Sequence, residues 1–277
     1  MSDNSKFKPA LQIIRAFIYS ACISFIFFLL LNIELINDSN LFGEVAFLGF
    51  LIALLEAYFT SRYLNLGRKQ HFKYHFSEHL LNHLYYPFLT FFALAFYFLL
   101  QTNFTLSYVL IALSFLMYWA YFYYLPLHIH FDHFDVNKNH KIHPRTDFTL
   151  HLFKFFSYFV ANLTLFTYYF YSKISFDIVV YINFSLNFIF LLFHIFRKNM
   201  FNGLNIFMAF LFAVITSFFT LTFKSSYINL SASVATLFFY LTSAIYYHKV
   251  DGTFNYKVLI EYGSIATIVS ILLFSIR

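Results

Sequence analysis

Charge is what this sequence has least of. Asp, Glu, Lys and Arg together make up 11% of its 277 residues, against the ~25% usual in soluble globular domains. Hydrophobic residues reach 61%, with 45 Phe and 23 Tyr. So few charges leave a water-soluble fold of this size unable to cover its surface, which excludes a soluble enzyme, a nucleic-acid-binding protein and a disordered tail. Cysteine is nearly absent: Cys22 stands alone, so no intramolecular disulfide forms and nothing points to a stapled extracellular module. Glycine (6) and proline (4) are also scarce. No Gly- or Pro-rich linker, low-complexity tract or clear repeat divides the chain. What remains is an all-α polytopic transmembrane bundle forming a single integral membrane domain over residues 1–277.

A helix needs ~20 mainly apolar residues to cross the hydrocarbon core. Such stretches occur near residues 13–35, 41–61, 85–101, 105–126, 149–172, 175–196, 204–223, 226–247 and 257–276, which predicts about nine spans. With the N-terminus inside and the C-terminus outside, only Lys173, Lys224 and Arg277 of the 18 basic residues fall outside. That is a strong positive-inside bias. The net charge of +6 is accordingly read as topogenic charge beside anionic headgroups, with membrane lipids as the expected partners. The first segment follows Lys6, Lys8 and Arg15 as a signal peptide would. It lacks a small-x-small cleavage site and exceeds a normal signal core, so an uncleaved anchor is expected. Tyr85, Tyr86, Tyr118, Trp119, Tyr168 and Tyr169 gather at segment ends, as interfacial aromatic belts do.

Histidine is the most informative residue for chemistry. All 12 fall on the predicted cytoplasmic face, and neutral imidazole is the commonest metal ligand. His71, His75, His79 and His83 recur every four residues, beside Phe72, Phe76, Leu80 and Leu84. On a helix this is the pattern of an amphipathic surface segment. It is also the i, i+4 spacing of a two-histidine metal clamp, for which His75 and His79 are the candidates. The second cluster, His128-Ile129-His130-Phe131-Asp132-His133, follows Pro126, which is expected to end the fourth segment. In an extended loop His128, His130 and Asp132 share one side. A divalent transition metal held by His128, His130, Asp132 and His133 is the alternative to a solvated, weakly basic inner loop.

Other motif matches are incomplete. The HxxxH matches at 71–83 resemble those of membrane desaturases and hydroxylases, which hold iron with histidine boxes, but no HxxHH box follows. Asp135-Val136-Asn137-Lys138-Asn139 begins like an EF-hand loop, yet His140 stands where Gly is needed and Thr146 where the bidentate carboxylate belongs. Asp132, Asp135 and Asn139 resemble the aspartate motif of intramembrane prenyltransferases, but in the connection between the fourth and fifth segments rather than in that family's loops. No catalytic residue emerges, and an enzyme is not the favoured expectation.

Within the apolar segments, Glu56 is the residue to watch. Ala46, Gly49, Ala53 and Ala57 make a small-residue stripe, and Glu56 projects within ~20° of Gly49. Small faces let helices approach closely, so Glu56 is expected to point into the bundle, where an acid is a functional candidate. A structural bond to a neighbouring side chain is the competing expectation. Asn183 and Asn187, one turn apart, are expected to supply interhelical hydrogen bonds, or else to line a polar cavity.

The stretch Val258-Leu259-Ile260-Glu261-Tyr262-Gly263, following Lys257, resembles uncharacterised multi-pass membrane protein families of small-genome bacteria. The resemblance implies a multi-pass protein of the bacterial cytoplasmic membrane and brings no activity with it. The function expected is a structural or assembly component, or one that handles lipid or solute, with a membrane metal-binding protein as the alternative.

Overall fold

In lipid the backbone has no water to bond, so apolar segments satisfy their N–H and C=O groups internally as helices. The computed structural model is all-helical, with no strand among the described residues. It describes residues 9–36, 39–65, 85–100, 103–134, 144–197, 202–222 and 227–257, with residue 200 and part of 259–267. Side chains at several helix ends, 57–65 and 126–134 among them, lie outside that description. The helices are α1 (Pro9–Ile36), α2 (Ser39–Asn65), α3 (Tyr86–Phe98), α4 (Phe104–Phe134), α5 (Pro144–Phe170), α6 (Phe176–Arg197), α7 (Gly203–Thr222) and α8 (Ile228–Val250). Helical backbone recurs at described positions between 256 and 267.

Among the described residues five stretches are long and apolar enough to cross a membrane: Gln12–Asn32, Phe104–Leu125, Phe176–Ile195, Gly203–Thr220 and Ile228–Val250. Helices α2 and α5 are of comparable length, 27 residues each. They also carry charge, Glu44, Glu56 and Arg62 in α2 and Arg145, Asp147 and Lys154 in α5. Helix α3 has 13 residues, about 20 Å of rise, which by itself falls short of a ~30 Å hydrocarbon core.

One expectation fails outright. Residues 127–134 are not an extended loop, because α4 continues through Pro126 to Phe134. Proline removes one N–H and crowds the carbonyl four residues back, but it does not oblige a long apolar helix to stop when neighbours can satisfy the freed group. Positions two apart on a helix are ~200° apart around the axis. His128, His130 and Asp132 therefore do not share one side as they would in a strand: position 130 lies across the axis from 128, while positions 128 and 132, four apart, fall within ~40° of each other.

The chain divides into two compact units, Met1–Ser157 and Tyr158–Arg277, with the boundary inside α5. In the first unit α1 packs on α4 and α2 and also meets α3. It runs antiparallel to α4, since Gln12 bonds the Phe122 carbonyl while Phe17 meets Phe115. Its core is aromatic: the Phe27 ring contacts Phe91, Phe98 and Tyr118 at 5.3, 5.8 and 6.4 Å. The hydroxyls of Thr90 on α3 and Ser157 on α5 are 2.7 Å apart, and the Tyr118 hydroxyl donates to the Pro87 carbonyl at 2.7 Å.

In the second unit α7 lies between antiparallel neighbours, α6 and α8. The Thr216 and Thr242 hydroxyls join α7 to α8 at 2.6 Å, and Phe219 stacks on Phe238 at 4.7 Å. Tyr158, Phe190 and Phe239 form a ring cluster, with Tyr158 and Phe239 parallel at 3.5 Å. Large apolar side chains face outward, Leu204 at 68% and Phe218 at 58% exposure. An apolar exterior over a core containing serine, threonine and asparagine suits lipid as the surrounding solvent.

Candidate functional site

Polar side chains gather at three places, two in the second unit and one in the first. In the first unit Glu56 on α2 is 2% exposed, and its Oε1 lies 3.3 Å from Nη2 of Arg15 on α1. Two features of the sequence bring them together. Helices α1 and α2 are antiparallel, so a residue early in α1 meets one late in α2. Gly49, seven residues before Glu56 and on nearly the same face, lets α2 come close; a Cβ there would collide with the Phe91 ring and touch Ile26. Ala53 is also buried between them in sequence. A carboxylate this deep is held as a charge only when paired, because its desolvation alone is severe; the Arg15 side chain is 20% exposed. Gln12, three residues before Arg15, is buried too and donates from Nε2 to the Phe122 carbonyl at 2.9 Å.

The second cluster is a ladder of neutral amides. Asn187 Nδ2 donates to Asn183 Oδ1 at 2.7 Å, one turn back on α6. Asn183 Nδ2 donates to Asn162 Oδ1 on α5, again at 2.7 Å. Asn162 Nδ2 donates to the Tyr158 carbonyl at 3.0 Å and to Thr236 Oγ1 on α8 at 3.3 Å. Thr236 passes its own proton to the Ala232 carbonyl at 2.8 Å. Three helices are thereby joined through side chains that are all buried. The Tyr158 hydroxyl adds a third contact between helices, donating to the Leu186 carbonyl at 2.6 Å.

The third cluster closes the C-terminal ends of α6 and α8. Helix α8 ends in a Schellman turn: the Thr253 N–H donates to the His248 carbonyl at 2.9 Å and the Gly252 N–H to the Lys249 carbonyl at 3.3 Å. Gly252 takes φ +69°, the left-handed conformation that such a turn requires and that glycine adopts without a Cβ penalty. The turn presents Asp251, whose Oδ1 lies 3.2 Å from His194 Nε2 on α6. The His194 ring stacks on Tyr247 at 3.9 Å, and His248 Nδ1 sits 2.8 Å from Thr253 Oγ1.

The structure treats the candidate residues unequally. Glu56 is placed against Arg15, and Asn183 and Asn187 are placed in the ladder. His75 and His79 lie outside the described residues. His128, His130, Asp132 and His133 are on the helical end of α4, with side chains outside the description. Among the described residues no group of three His, Cys, Asp or Glu side chains converges as a metal site would require, so the metal-binding alternative gains no support. Sequence reasoning misses Arg15 as the partner of Glu56, because a basic residue beside an apolar segment reads as a topogenic charge. Asn162 was missed as well, although it is the single Asn in its apolar segment. The His194–Asp251 contact carries no sequence signal, since 57 residues separate the two.

No protein-family model, curated protein or solved structure matches the chain. The class that the fold defines is a helical protein with, among the described residues, five helices long and apolar enough to cross a membrane.

Proposed function

We propose that this is a nine-span protein of the bacterial cytoplasmic membrane, N-terminus inside and C-terminus outside, serving as a structural or assembly component in contact with membrane lipids. One observation carries the role: several buried polar side chains within the spans bond to one another across helices. Arg15 meets Glu56, Asn183 meets Asn162, and Thr216 meets Thr242. Groups engaged in this way hold helices together and are not the lining of a transit path. The alternation of antiparallel neighbours within each unit supports the topology, as does the position of nearly all basic residues. Reporter fusions test it: an enzyme active only outside is expected to work when joined after Lys173 or Lys224, and to be silent after Arg145 or Lys249. Activity after Lys249 and silence after Lys224 would overturn the nine-span arrangement.

A lipid- or solute-handling role is the second reading, and the buried Glu56 paired with the part-exposed Arg15 is what favours it, since intramembrane charge often marks a pathway. In vesicles, Glu56→Gln leaves proton-linked flux unchanged under the structural reading. A changed flux with the fold intact would transfer the weight to handling.

A further inference from the structure

The amide ladder has a fixed direction. At one end Asn162 faces the Tyr158 carbonyl, which can only accept, and Thr236 Oγ1, whose proton is engaged with Ala232. Asn162 must therefore turn its NH₂ to that end and its Oδ1 to Asn183. Asn183 is then oriented by Asn162, and Asn187 by Asn183. Flipping any one amide sets donor against donor or acceptor against acceptor, so the orientation follows from the network. The whole deficit of the ladder is passed to its last atom, Asn187 Oδ1. Asn187 is 1% exposed, and among the described residues no donor reaches that oxygen. Buried acceptors in native proteins are almost always satisfied, by protein or by an ordered small molecule.

The chemistry of the missing donor follows from the surroundings. Asn187 lies near the middle of the apolar stretch Phe176–Ile195. Between Asp177 and Arg197 helix α6 has no Asp, Glu, Lys or Arg, and every ladder residue is neutral. A cation bound there would have no counter-charge and would bear the full penalty of charge in a low-dielectric interior. We propose that Asn187 Oδ1 is a binding site for a neutral hydroxyl, donated by one ordered water or by the alcohol group of a small solute or glyceride. This inference does not depend on the structural role proposed above.

An experimental density map of the full chain at a resolution that shows waters tests it, together with native mass spectrometry of the same sample. Density is expected at about 2.5–3.0 Å from Asn187 Oδ1. A compact peak with no mass adduct assigns water; an elongated feature with an adduct that Asn187→Leu removes assigns the alcohol. A map with nothing in reach, or with a donor from the chain itself on that oxygen, overturns the proposal. The wild-type map decides this even if Asn187→Leu does not fold.

Discussion

The first unit joins α1 to α2 with a pair of full charges, whereas the second joins α5, α6 and α8 with a file of neutral amides. The two devices meet the same need. Between apolar helices in an apolar solvent there is no hydrophobic drive to associate, so close packing and polar contacts must supply specificity. They differ in how the stabilisation is distributed. The ion pair sets two full charges 3.3 Å apart, and losing either member takes an opposite charge from the other in a single step. The ladder spreads its effect over three amides and a hydroxyl, and each break exposes only neutral dipoles. A charge lock is thus all-or-none, and an amide ladder fails by degrees.

The largest effect is expected at Glu56. Glu56→Leu takes the carboxylate from the part-buried Arg15 guanidinium, which cannot discharge by losing a proton, and is expected to cost about 3 kcal/mol. Arg15→Met is expected to cost less, because a lone carboxylate can take up a proton and become neutral. The double variant should recover much of the loss, since two apolar side chains of similar volume replace a pair whose burial was itself costly. Thermal unfolding in one detergent, read as a double-mutant cycle, measures the coupling. Losses that simply add would show that the two charges do not act as a lock.

Asn183→Leu is the matching break in the second unit. It removes the middle of the ladder and leaves the Asn162 oxygen and the Asn187 amide without their mutual link. The expected loss is about 1–2 kcal/mol, well below that at Glu56. An equal or larger loss at Asn183 in the same unfolding measurement would reverse the comparison between the units.

These two sites also show what the residue order reveals. The small face of α2 was legible, because glycine and alanine at helical spacing predict close approach, and Gly49 and Ala53 are indeed buried. The burial of Glu56 follows from the same face. Its partner was not legible: Arg15 belongs to another helix, and nothing in sequence distinguishes a charge that faces headgroups from one that turns inward. Helix positions were readable from the lengths of apolar runs, within a few residues at most ends. The end of α4 was not, since Pro126 is a stop signal only where the freed carbonyl has no better partner than solvent. The ladder was half visible. Asn183 and Asn187 share a face by their spacing, but Asn162 joins them only through the packing of α5 on α6.

The smallest effect is expected at a turn that bears on neither device, which makes it the control for both. Helix α5 ends as α8 does, with the Ser172 N–H donating to the Tyr169 carbonyl and the Lys173 N–H to the Tyr168 carbonyl, both at 2.9 Å. The left-handed position is Gly252 in one turn and Ser172, at φ 55°, in the other. A Cβ in that conformation costs roughly 1–2 kcal/mol, and glycine returns part of the gain, about 0.5–1 kcal/mol, through the greater freedom of the unfolded chain. Ser172→Gly should therefore stabilise the second unit by about 0.5 kcal/mol. Gly252→Ser should do the reverse by about the same amount, since an added Cβ there meets nothing within 4 Å and only the backbone strain enters. A shift at Ser172 as large as that at Asn183 would mean that backbone turns govern this unit as strongly as its amides do. A shift near the expected size leaves the polar contacts between helices as the stronger determinant.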